Sequence, residues 1–102
     1  MIKFDFDTDL RFRDSLDELG AHESIEVFDA LSTISAQRYH WGQFVDEFGW
    51  KPLDLVGVDT FPGCIELHQF IIQGSSSQLY EVIGYTHQNV VIICAVVRKA
   101  TL

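Results

Sequence analysis

Tyr80-Glu-Val-Ile-Gly-Tyr-Thr-His-Gln-Asn-Val-Val-Ile-Ile-Cys-Ala-Val-Val-Arg98-Lys99 decides the fold class of this chain. Residues 79–86 read as one strand, and residues 90–97 are apolar throughout. An unbroken apolar run of strand length marks a strand covered on both faces or central in its sheet. His87, Gln88 and Asn89 are left to turn the chain between them. The stretch therefore predicts an antiparallel hairpin whose second strand lies inside its sheet.

Upstream, Gly74-Ser-Ser-Ser77 predicts a flexible turn, and the segment from Cys64 to Gln73 again has a period of two. In it Ile65, Leu67 and Ile71 fall on one side, and Glu66, His68 and Phe70 on the other. These three strands form a meander. Residues 53–63, with Gly57, Pro62 and Gly63, read as an irregular connection.

The first half has helical periods. Trp41, Phe44, Val45 and Phe48 are spaced i, i+3, i+4, i+7, and Gly49 stops the pattern. A longer helix is predicted over 22–37, with Ile25, Phe28, Leu31 and Ile34 on one side and Val27 and Ala30 widening the stripe. A shorter one, capped by Asp7, Thr8 or Asp9, carries Leu10, Phe12, Leu16 and Leu19 and ends at Gly20. Ile2, Phe4 and Phe6 alternate with Lys3, Asp5 and Asp7, the mark of an opening strand. The expected fold is α+β: an N-terminal strand, two or three helices, then a C-terminal antiparallel β-meander with the helices packed on the sheet.

The chain has 102 residues, 47% of them hydrophobic and 13% aromatic. That is enough for one domain, residues 1–102, with a core of its own. No apolar run approaches the roughly 20 residues of a membrane span, and the acidic start lacks the organisation of a secretion signal. A cytoplasmic protein with no membrane partner is expected. Cys64 and Cys94 suit buried free thiols in strands. Glu66 and His68 share a strand face but are too few for a tetrahedral metal site, so neither metal nor cofactor is expected. His22, His40 and His87 are isolated, and Arg38-Tyr39-His40-Trp41 reads as a helix end covering the core.

The net charge is −8. Within residues 1–30 Asp5, Asp7, Asp9, Asp14, Asp17, Glu18, Glu23, Glu26 and Asp29 face only Lys3, Arg11 and Arg13. Nucleic-acid binders neutralise phosphates with basic surfaces, so this balance points instead to a basic protein partner, or to a solvated face that keeps the domain soluble. Asp14, Asp17, Glu18, Glu23, Glu26 and Asp29, on the first two helices, are the candidate partner-binding residues.

Three motifs carry a family likeness. Gly63-Cys-Ile-Glu66-Leu67-His68 enters the meander, Tyr80-Glu81-Val82-Ile83-Gly84-Tyr85 follows, and Val90 to Val97 ends in Arg98-Lys99. Together they resemble the meander of the RelE/ParE/HigB family of small bacterial toxins. The layout matches over most of the chain, and the residues match within 63–99. The resemblance implies a RelE/ParE-like domain from a phage, plasmid or chromosomal toxin–antitoxin system, with a small antitoxin as partner. It also implies that the protein, if active, is a ribosome-dependent mRNA endonuclease, or a gyrase inhibitor as in the ParE branch. Carried over, the site is Glu66 or Glu81 as base, His68 as acid, Tyr85 as hydrogen-bond donor and Arg98 as phosphate clamp. Two departures stand out: His68 replaces an arginine of the family, and Glu81 replaces another. RNA cleavage needs cations for the developing phosphorane charge, and this chain has lost most of them. The charge balance implies a second function, a non-enzymatic acidic inhibitor or immunity-type protein that neutralises a basic nuclease or nucleic-acid-binding complex.

Overall fold

The structure, a computed structural model, describes residues 2–52, 67–74 and 77–99. Its elements run β1 (Lys3–Asp5), α1 (Arg11–Leu19), α2 (Ala21–Ala36), α3 (Trp41–Phe48), β2 (Lys51–Pro52), β3 (His68–Gln73), β4 (Leu79–His87) and β5 (Val90–Arg98). This is the expected α+β order, with three helices and one extra short strand, β2. Cys64, Ile65 and Glu66 lie outside the described residues, as do Ser75 and Ser76 and the connection predicted over 53–63.

The sheet has the order β1-β5-β4-β3-β2. β3, β4 and β5 form the antiparallel meander, β2 extends it antiparallel to β3, and β1 joins β5 in parallel. The turn at Gln88 and Asn89 has positive φ at both residues, 50° and 67°. That conformation matches the twist of the flanking strands, although neither residue is glycine.

One register shift interrupts the hairpin. Ile83 faces Ala95 and Gly84 faces Ile93, which leaves Cys94 as an extra residue in β5. Gly84 is required there, since a Cβ would lie 2.5 Å from the carbonyl oxygen of Ile92. Gly84→Ala is expected to lower the unfolding free energy by about 1–3 kcal/mol, read from the urea midpoint.

The free edge of β5 is covered in two stages. β1 pairs with Val90–Ile92. Beyond it, α1 takes over: the Val96 N–H donates to Ser15 Oγ (3.1 Å), and the Ser15 hydroxyl donates to the Phe12 carbonyl (2.7 Å). The link between the two stages is a turn closed by Asp5, whose carboxylate accepts the backbone N–H groups of Asp7 (2.8 Å) and Thr8 (2.9 Å). A bare strand edge invites pairing with another chain, and a helix laid along it prevents that.

The core lies between the helices and one sheet face. Phe12, Val27, Leu31, Phe44, Phe70, Tyr80, Val82 and Ile93 are all essentially inaccessible. Phe44 is the hub, with ring centroids of Phe4, Trp41, Phe48, Trp50 and Phe70 5.0–5.8 Å away. Two predicted faces are corrected. On α2, Val27, Leu31 and Ile34 turn inward, while Ile25 and Phe28 are 71% and 45% exposed. Only one side of α2 meets the sheet, and that side also carries Glu26 to Tyr80. On β3 the inward set is Phe70 and Ile72, and Ile71 is half-buried on the other face. No described helix is long and apolar enough to cross a membrane.

Candidate functional site: the acidic helical layer

The sheet separates the residues nominated for RNA chemistry. Glu66 lies outside the described residues. His68, at the start of β3, opposes Gly84 of β4, and Arg98 opposes Tyr80 four residues away along β4. At the strand rise this offset is about 13 Å, before the two-strand lateral step is counted. Both lie on the helix face, in step with Phe70 and with Tyr80. Glu81 and Tyr85 alternate with the buried Tyr80, Val82 and Gly84 and so project from the opposite face.

Each of the two helix-face residues is held in place. The His68 ring stacks on Trp50 with centroids 4.9 Å apart and planes 3° from parallel. Arg98 grips Glu23: Nε donates to Oε2 (2.7 Å) and Oε1 (3.0 Å), and a second guanidinium nitrogen also reaches Oε1. That nitrogen donates to the Leu19 carbonyl as well (3.3 Å). The Tyr80 hydroxyl donates to Glu23 Oε2 (2.9 Å) and lies 3.4 Å from Glu26 Oε2. Arg98 holds the Glu23 carboxyl below the usual carboxylate range. Burial first, then the neighbouring carboxylates, keeps the Tyr80 phenol protonated. Arg98 thus ties α1 and α2 to the end of β5, with its charge already matched.

A second polar cluster sits at the start of α1. Arg11 makes a bidentate pair with Asp9, whose side chain is only 9% exposed. The pair lies beside Cys94, with the Arg11 guanidinium 4.0 Å from Sγ. Arg11 holds the Asp9 carboxyl low, while burial, and then Asp9, push the Cys94 thiol up to about 12. A thiol held protonated is no nucleophile. Cys94 is the buried free thiol expected from sequence. Its raised folded-state value means that the unfolded chain loses the proton first. The associated stability is complete below the ordinary thiol value of 9.0 and declines between pH 9 and about 12. Urea midpoints should fall across that window, and less steeply in Cys94→Ala.

The six nominated acids fall into two groups. Asp14, Asp17 and Glu18 on α1 and Asp29 on α2 are exposed, while Glu23 is engaged by Arg98 and Glu26 is buried against Tyr80. The structure adds Asp46 and Glu47, both exposed on α3. Sequence could have found them, because the Trp41, Phe44, Val45, Phe48 stripe leaves 46 and 47 on the outer side. Between α2, the end of α3 and β3 runs a groove of about 850 Å³ lined by Ile25, Glu26, Asp29, Glu47, Phe48 and Ile72 among others.

All seven Lys and Arg residues lie among the described residues. Arg11 and Arg98 carry close carboxylates, and Arg13 is 3.7 Å from Asp7. Lys51 is on β2 and Lys99 follows β5, at separate places in the sheet. Lys3 and Arg38 share a depression with Ser32 and Ser35. Its described lining includes no carboxylate, histidine or tyrosine for proton transfer. No group of three potential metal ligands occurs among the described residues. Comparison with protein families, with curated proteins and with solved structures finds no match for this chain.

Proposed function

We propose that this protein is a non-enzymatic acidic inhibitor or immunity-type protein, which binds and covers a basic surface on a protein partner. One observation carries the reading: the helical layer presents Asp14, Asp17, Glu18, Asp29, Asp46 and Glu47 to solvent, while Arg11 and Arg98 are already paired with carboxylates. Such a layer draws in a cationic protein, and close charge pairs across an interface have coupling energies of about 1.5–7 kcal/mol. The reading carries a cytoplasmic location with it.

The alternative, a ribosome-dependent RNA cleaving toxin, requires His68 and Arg98 to cooperate with Glu81 and Tyr85 from opposite faces of one sheet. Induced expression in a growing bacterium separates the two. Growth should continue and cellular mRNA should stay intact. Arrest that His68→Ala, Glu81→Ala or Arg98→Ala relieves would establish the toxin reading instead. Partners captured by the purified chain should be basic proteins whose association slows as salt rises.

A further inference from the structure

The groove between α2, α3 and β3 combines two properties. Its surface is apolar, built from Ile25, Phe48, Ile72 and Leu79. Its walls are anionic: Asp29 faces it from α2 and Glu47 from α3, with Glu26 deeper, against Tyr80. No Lys or Arg lines it among the described residues, and residues 53–66, 75–76 and 100–102 contain neither type. Ile25, on the rim, is 71% exposed, the highest value among the large apolar side chains described.

We infer that this groove is the seat of one segment of the partner: a basic amphipathic stretch whose large aliphatic side chains enter the groove while its Lys or Arg residues meet Asp29 and Glu47. The inference rests on the acidic-binder reading and gives it a location. Charge selects the occupant. A second copy of the chain would bring another net charge of −8 against the same carboxylates. An anionic lipid surface is repelled for the same reason. Low-dielectric apolar walls focus the field of the rim carboxylates into the groove. An amphipathic segment laid in an apolar groove is a recurrent recognition mode, and here the rim charges add register and sign.

The test uses the full chain, ¹⁵N-labelled, titrated with a capped leucine–lysine peptide of helical amphipathic pattern. Capped oligolysine and the leucine–glutamate analogue serve as comparisons. Amide shifts should concentrate at Ile25, Asp29, Glu47 and Gln73. Affinity should fall at least about tenfold in Asp29→Lys/Glu47→Lys, and likewise in Ile25→Ser. All three side chains are exposed, so the variants keep the fold, which circular dichroism verifies. Asp14→Lys/Asp17→Lys should leave peptide affinity unchanged. Equal binding of oligolysine at the same sites would overturn the inference, because charge alone would then suffice. Shifts confined to α1, or self-association of the free chain abolished by Ile25→Ser, would overturn it too. Those outcomes leave the acidic-binder reading standing. That reading fails on a different result, growth arrest by the intact chain or salt-independent association with its captured partner.

Discussion

Phe44→Ala should cost this protein more stability than any other single truncation, about 3–5 kcal/mol. Phe44 is fully buried, and it is the ring on which β1, α3, β3 and Trp50 converge. Removing it deletes contacts on every side at once, and the cavity is walled by elements that cannot all close in. A domain of this size has about 5–15 kcal/mol to lose. The variant should therefore unfold at a much lower urea concentration, and part of the population should be unfolded at physiological temperature. Phe48→Ala is the control. Phe48 is only partly buried at the margin of the same cluster, so its loss should cost visibly less. Equal urea midpoints for the two variants would show that the cluster has no hub.

The largest functional effect should come from α1. Asp14→Lys, Asp17→Lys and Glu18→Lys together reverse three exposed charges without touching the buried Phe12 or Leu19. Association with a basic partner should slow by about 10–100-fold at low salt. The deficit should shrink as ionic strength rises and the Debye length falls to about 8 Å at physiological salt. Stopped-flow association rates measured over a salt series would show it. A variant that associates as fast as the parent would remove α1 from the encounter surface. Glu23 and Glu26 do not belong in this variant, because the first is held by Arg98 and the second by Tyr80.

Much of the fold was legible because its signals are local. The 41/44/45/48 stripe, Gly49 at positive φ, and the apolar run of β5 each fall where their periodicity and stop residue put them. The rotation of α2 was not legible. Ile25 and Phe28 share a helical period with Leu31 and Ile34, and only the position of the sheet decides which of two overlapping stripes is buried. The bulge at Cys94 was equally hidden, since an apolar run shows no break where one residue is added. The extra strand β2 is Lys51-Pro52, two residues whose pairing with Gln69 and His68 has no pattern of its own.

At the site, sequence nominates residue types and the fold decides which of them meet. Alternation in β4 predicted that Glu81 and Tyr85 share a face. It could not show that Arg98 would turn the other way and find Glu23, which lies on a helix distant in sequence. Nor could it divide the acids into structural and available ones. Glu23 and Asp29 are six residues, or about 1.7 turns, apart on the same helix, and only the sheet beneath distinguishes them.

The parallel pairing of Lys3 with Val90 joins two strands that every other described element separates in sequence. A sheet closed in this way cannot be finished until β5 has been made, after every other described element. Until it arrives, the edge of β4 that it will occupy and the flank of β1 that it will pair are both open to other chains. Such long-range closure also makes for slow folding. Deleting β5 should thus release β1 and α1 together, so that the loss of one strand undoes two elements far from it in sequence.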